Sequence, residues 1–311
     1  MTMSAIPDLG GARSLVLRPT LVIGAALETM RPYQWLKNLL VFVPLMAAHQ
    51  LTNISLLGAV VCAFVAFSLC ASGIYVFNDF HDAPADRLHP HKRNRPIVTG
   101  ALPRPVAIGL VPLLLAGAIA ACIPLGPRVG AILVGYAVLM IAYSLKLKQI
   151  VLLDALVLAV GFALRVLLGA VAVDILPSFQ LLAFCTFLFF SLALVKRYAE
   201  LTLLRLRDGS VARARAYRLE DQELILALGV GCGILSILAL TQYMGTSQGE
   251  IPYSRSAFIW ISSALLLYWI SHVWLTAHRG RMTDDPLVFA IKDRVSQVLI
   301  VLIGLAAWHA V

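Results

Sequence analysis

A succession of long apolar runs, each cut off by a short polar stretch, constrains this chain more than any other feature. Runs of about 18–25 residues match a helix crossing a ~30 Å hydrocarbon layer. In that solvent each backbone N–H and C=O must be bonded inside its own segment, which selects the α-helix. Nine spans are predicted, at about 36–52, 56–77, 104–124, 128–145, 151–172, 177–198, 222–245, 256–276 and 287–308. Pro44 interrupts the first of them. Composition agrees, since 60% of the residues are hydrophobic and 13% are charged, against about a quarter charged in soluble domains. The expected fold is an all-α integral membrane bundle, one catalytic domain over residues 31–311 behind an N-terminal cytoplasmic or interfacial segment, residues 1–30. Early Pro7 and Asp8 do not suit a signal peptide, whereas residues 18–30 suit a short interfacial helix.

Loop charge sets the expected orientation. The connections after the second, fourth, sixth and eighth spans carry Arg87, Lys92, Arg93, Arg95 and Arg104, then Lys146 and Lys148, then a basic series from Lys196 to Arg218, then Arg279 and Arg281. The opposite connections carry Arg128 and Arg255. By the positive-inside rule the heavily basic loops and the N-terminus face the cytoplasm, as in a multi-pass protein of the bacterial inner membrane. The formal charge of +9 is thereby accounted for, with no nucleic-acid partner required. Cys62, Cys70, Cys122, Cys185 and Cys232 all lie in apolar runs without a C-x-x-C pair, as small packing residues do.

The second span gives way to Asn78-Asp79-Phe80-His81-Asp82-Ala83-Pro84-Ala85-Asp86-Arg87. On a helix, Asn78, Asp82 and Asp86 stack at successive turns of one face. A carboxamide and two carboxylates at that pitch suit Mg²⁺, which binds through one or two carboxylates and substrate phosphates. The competing account is a solvated acidic helix end. Arg87, Lys92, Arg93 and Arg95 follow and could hold an anion, Arg by its planar fork and Lys as a point charge. His89 and His91 flank Pro90 and read as plain loop.

The long connections near 78–103 and 196–221 sit four spans apart, as in a duplicated four-helix unit with a ninth helix appended. Their loops would converge on one cytoplasmic mouth of a central cavity. Lys196, Arg197 and Glu200 stand at the second mouth, where Lys196 and Glu200 have the spacing of a helix-surface pair or of a substrate contact. Arg213, Arg215 and Arg218 read as anchors near anionic lipid. Tyr143, Lys146 and Lys148 precede Asp154, and Arg165 falls deep in the fifth span, where an ionisable residue faces the bundle interior or a watery cavity. Thr283-Asp284-Asp285-Pro286 is a helix-start sequence, and Lys292, Asp293 and Arg294 follow it into the last span. Lys37, at the head of the first span, joins the candidate substrate-binding set.

The N-D-x-x-D-x-x-x-D series from Asn78 to Asp86, the helix count and the polar loops resemble the UbiA superfamily of intramembrane prenyltransferases over about residues 30–311. The resemblance implies nine helices around a cavity open to the cytoplasm and laterally to lipid, with Mg²⁺ held by Asn78, Asp82 and Asp86. Ordinary members carry a second D-x-x-x-D after the sixth helix, where this chain has Lys196-Arg197-Tyr198-Ala199-Glu200. The family's Y-x-x-x-K is also out of register with Lys146 and Lys148. Lys-Arg-x-x-Glu, Gly161-Phe162-x-x-Arg165 and Asp285-Pro286 before Lys292-Asp293-Arg294 are similar to the branch that moves ribose phosphate from 5-phosphoribosyl diphosphate to a polyprenyl phosphate. That branch implies catalytic roles for Asp82, Asp86, Asn78 and Asp79, with Asp79 orienting the cluster. It implies a pocket completed by Tyr143, Lys148 and Arg165, and clamps from Lys196, Arg197, Lys292 and Arg294. Two extra phosphates favour cations over a second acidic cluster. Its rivals are prenyl transfer to an aromatic or lipid-soluble acceptor and transport, although transport sites lie nearer the midplane. A homo-oligomer is compatible with the chain.

Overall fold

Proline and glycine punctuate the chain where apolar runs stop, and the helices follow that punctuation. The structure, a computed structural model, describes residues 19–88, 92–175, 178–206, 217–245, 256–282 and 285–309. The readings of Pro7, Asp8, His89, Pro90, His91, Arg213, Arg215, Arg255, Thr283 and Asp284 lie outside these residues. Helix α1 is Pro19–Met30, matching the short helix expected there. A 3₁₀ stretch, Pro32–Phe42, runs into α2, Val43–Ala47. Next come α3, Ile54–Asp86, the short α4, Pro96–Thr99, and α5, Arg104–Cys122. Then follow α6, Pro127–Leu145, α7, Leu153–Ala172, and α8, Phe179–Leu206. The chain continues with α9, Gln222–Gly245, α10, Ser256–His278, α11, Pro286–Lys292, and α12, Arg294–His309. Among the described residues there is no strand.

Seven helices, α3 and α5 to α10, are long and apolar enough to cross a membrane. The first and last predicted spans are each built from pieces instead. Pro32 and Pro44 lack the N–H that a continuous α-helix needs, and the chain there coils as 3₁₀ before the five residues of α2. At the other end Asp293 adopts extended backbone, φ −80 and ψ 120. Its carboxylate accepts the Ser296 N–H at 2.7 Å, so a local side-chain bond starts α12 afresh. The second span runs longer than expected: α3 begins at Ile54, capped by Asn53, whose side chain accepts the Leu56 N–H, and carries on past residue 77 to Asp86.

Two apolar cores result. Val41, Leu45, Val60 and Phe67 meet Leu133, Tyr136 and Met140 of α6 and Val157 and Leu168 of α7. On the other side Ala155, Ala159 and Val166 of α7 meet Phe189 and Leu194 of α8, Trp269 and Trp274 of α10, and Leu299 of α12. Helix α7 therefore belongs to both. Glycine permits its closest contact, since a Cβ on Gly169 would lie 2.0 Å from the Val41 carbonyl oxygen. A third cluster seats α1 by Ala25 against Val76 and Ala83 of α3 and Ile97 of α4. Cys70, Cys122 and Cys185 are buried, and all five cysteines are free thiols. Leu113, Val138, Trp260 and Val301 stand exposed on the outside, an apolar surface of the kind lipid covers.

Candidate active site at the polar end of the bundle

Because α3 stays helical to Asp86, the four-residue steps of its motif are real turns. Asn78 and Asp82 are half-buried, and Asp79 and Asp86 are buried. The acids have different partners. Asp79 accepts from Arg31 Nη2 at 2.7 and 2.8 Å. Arg31 itself takes left-handed backbone, φ 54 and ψ 59, beside the Tyr75 ring. Arg95 bridges the two buried acids, 3.0 Å from Asp79 and hydrogen-bonded to Asp86. Lys92 lies 4.0 Å from Asp86. Asp82 faces the turn after α6, where Lys148 Nζ donates to its two oxygens at 2.7 and 2.8 Å. Arg87 and Arg93 are exposed. Lys148 thus meets Asp82 across 66 residues of chain, while Lys146 is exposed.

Among the described residues no group of three or more His, Cys, Asp or Glu is arranged to hold a metal. Two carboxylates with a carboxamide are nonetheless a number and kind of donor that Mg²⁺ accepts. Asp82 and Asp86 face cations, not apolar side chains, so this end of α3 is a place that sustains negative charge. The residues present fit a hard divalent cation.

A second charged group joins three remote elements. Lys37 of the 3₁₀ stretch and Lys196 of α8 both approach Asp285 Oδ2, at 3.4 and 3.7 Å. Asp285 Oδ1 accepts the Leu287 N–H at 3.0 Å and so caps α11. Burial works to raise the Asp285 pKa, but Lys37, then Lys196, then the Leu287 N–H hold it below the usual carboxylate range.

Arg197, expected as a substrate clamp, is turned inward and 2% exposed. It donates to Asp154 at 2.8 Å and to Glu200 at 2.6 Å. Glu200 therefore pairs with Arg197, and the outward partner of the pair of basic residues is Lys196. Tyr217 donates to the same Asp154 and accepts the Leu152 N–H at 2.9 Å. Leu152 holds a positive φ of 64 at the start of α7, a strained conformation for a branched side chain. Burial first, and then the Asp154 carboxylate, pushes the Tyr217 phenol up.

Arg165 is buried in the bundle interior. It donates to Asn38 Oδ1 at 2.9 Å, to the Gly161 carbonyl at 2.7 Å and to Tyr136 Oη at 3.2 Å. Phe67, Tyr136 and Phe162 surround its guanidinium. Tyr143 is half-buried at the end of α6. Lys292 and Arg294 are exposed on either side of the α11–α12 break, and Asp293 between them meets His272 at 3.1 Å. Sequence reasoning missed Arg31 and the tie from Asp285 to the lysines. The available signal was an arginine at the edge of an apolar run and an acid directly before a helix-starting proline.

The model of the UbiA prenyltransferase family matches residues 38–214. Nodulation protein NoeC of Azorhizobium caulinodans is 36% identical over 90% of this chain and 90% of its own. Decaprenyl-phosphate phosphoribosyltransferase of Mycobacterium tuberculosis is 30% identical over 90% of this chain and 92% of its own. In fold, a UbiA homolog from Archaeoglobus fulgidus bound to GPP and Mg2+ superposes with a TM-score of 0.68 at 15% identity, over 92% of this chain and 98% of the other.

Proposed function

From its membership of the UbiA prenyltransferase family, to which this multi-pass membrane chain belongs, we propose that it moves a 5-phosphoribosyl group from 5-phosphoribosyl 1-diphosphate to a polyprenyl phosphate. The observation that carries this reading is the second charged group. Where an acidic motif would bind another metal, α8 presents Lys196, which shares the Asp285 carboxylate with Lys37. A donor with a diphosphate and a separate phosphate needs one metal cradle and one direct cationic hold. Similarity to the mycobacterial phosphoribosyltransferase supports the same choice.

In the reaction a lipid phosphate oxygen bonds to ribose C1 as the bond from C1 to the diphosphate oxygen breaks. Asn78, Asp82 and Asp86 would hold Mg²⁺, whose chemistry when bound is to polarise the leaving diphosphate as a Lewis acid. Lys148 and Arg95 lie against those acids and reach the diphosphate oxygens by exchanging carboxylate for phosphate. Arg95 also ties Asp79 to Asp86, so Asp79 acts by orienting its neighbour. The acceptor phosphate is already an anion, and no strong base is called for. Arg165, Tyr143 and Arg197 shape the pocket from behind. Nine membrane crossings, with the two pieced segments as first and last, a single domain from residue 31, and a cavity at the cytoplasmic face of a bacterial inner membrane complete the proposal. Loop charge supports that orientation.

The second reading is transfer of a prenyl group to an aromatic or lipid-soluble acceptor, favoured by the fold shared with a homolog bound to GPP and Mg2+. Purified protein in detergent, given radiolabelled phosphoribosyl diphosphate, polyprenyl phosphate and Mg²⁺, is expected to yield labelled lipid. No labelled lipid, with product from a prenyl diphosphate and hydroxybenzoate, would replace the first reading by the second. No product from either, with substrate moved across sealed vesicles, would favour transport.

A further inference from the structure

We propose that Lys37, Lys196 and Asp285 form a subsite for a phosphomonoester dianion, in which Asp285 sets the selectivity by competing for the same two lysines. It rests on the reading above, in which a monoester accompanies the diphosphate.

Three features of the geometry carry it. The lysines share one carboxylate oxygen from 3.4 and 3.7 Å, looser than the 2.7 Å of Lys148 on Asp82 and than the usual charge-assisted bond of about 2.7–2.9 Å. Each ammonium has three donors, and Asp285 Oδ2 faces both groups at once. Sharing one oxygen also brings both nitrogens within reach of a single phosphate. Next, Asp285 does not follow the lysines, because its Oδ1 is fixed by the Leu287 N–H. The lysines are the movable parts, each on a flexible four-carbon stem. Finally, Lys196 is 39% exposed in its side chain, so an incoming anion has access.

Competition explains what the acid is for. A phosphate dianion brings three acceptor oxygens and about twice the charge of a carboxylate, so it takes the lysines from Asp285. A singly charged anion does not gain enough to do so. Asp285 thereby admits monoesters and turns away diesters and carboxylates, a repulsive element built beside attractive ones. Ribose phosphate and polyprenyl phosphate are both monoesters, and the subsite chemistry is common to them.

Asn caps a helix about as well as Asp, so Asp285→Asn removes the charge and keeps the α11 start. Binding of ribose 5-phosphate and of dimethyl phosphate to the purified full chain, measured by calorimetry, is the test, with melting temperature as the check of folding. Asp285→Asn should tighten ribose 5-phosphate about tenfold, the scale of one charged contact, and tighten dimethyl phosphate more, so that the gap narrows. Lys37→Gln and Lys196→Gln should each weaken ribose 5-phosphate by a similar factor. Unchanged or weaker binding in Asp285→Asn, or unchanged binding in both lysine variants, overturns the subsite. Should Asp285→Asn not fold, the two lysine variants decide. Competition by polyprenyl phosphate in nanodiscs assigns the subsite to the lipid, and its failure to compete assigns it to the soluble donor. Protein that makes no phosphoribosyl lipid yet shows these shifts keeps the subsite and loses the functional reading. Normal transfer with flat affinities does the reverse.

Discussion

Asp79, Asp82 and Asp86 lie within one short stretch of α3, yet their surroundings give them different duties. Asp79 is buried and taken up by Arg31 and Arg95. Replacing it by Asn leaves those guanidinium groups short of a partner, which should cost stability by about 3 kcal/mol, the low end for a broken buried pair. Asp82 is more open, its side chain 26% exposed, and among the contacts described it meets Lys148. Asp82→Asn and Asp86→Asn should therefore lower turnover by about a hundredfold or more, as loss of a group stabilising developing charge does. Asp82→Asn should do so with an unchanged melting temperature. Near-normal rates in both variants would remove the metal cradle. The neighbouring basic residues divide in the same manner. Arg197 is spent inside on Asp154 and Glu200, whereas Lys196 one position earlier faces outward to Asp285. Sequence spacing suggested a Lys196–Glu200 pair, and only the turn of α8 against α7 decides otherwise.

At the scale of elements, apolar run length located most helices closely, and α9 falls on its predicted bounds. It was least informative where backbone donors are missing or a side chain competes for them. The prolines of the first span and the Asp293 carboxylate in the last are visible as letters. Their outcome depends on how much neighbouring helices reward continuity. Close packing was also beyond the letters: a glycine in a membrane helix is common, and nothing local marks Gly169 as the place where the 3₁₀ stretch presses on α7. Gly169→Ala should be costly, because the clash is with the Val41 backbone and cannot be relieved by a side-chain rotation. A loss of about 3 kcal/mol or more is expected, at or beyond the upper range for overpacking, read as a lowered melting temperature in detergent. Gly229 offers a contrast, since its contact is the Trp274 ring. An alanine at residue 169 that melts like the unaltered protein would show that the Val41 backbone yields to admit a methyl group.

For the molecule as a whole, alternation of crossings brings the end of α3, the α6–α7 turn, the end of α8 and the start of α11 to one side. The ion pairs Asp82–Lys148, Arg197–Asp154 and Lys196–Asp285 link them in turn, through the start of α7. The acids of α3 and Lys196 stood out as candidate site residues because charge is scarce in this chain, at 13% of residues. Their pairing did not, because contacts across 66 or 248 residues leave no local trace. Orientation has its own test. In a background with Cys62 replaced, Arg93→Cys should react with a membrane-impermeant maleimide only when the cytoplasmic face is open, while a cysteine replacing Gly126 should react from the other face. The reverse pattern would invert the protein. The double membership of α7 bears on biogenesis as well. Asn38 leaves the ribosome 127 residues before Arg165, the group that its carboxamide serves. Until α7 is inserted, the earlier segments wait in the bilayer with a seam unfilled and a polar side chain unanswered, so the first half cannot finish folding before the second has begun.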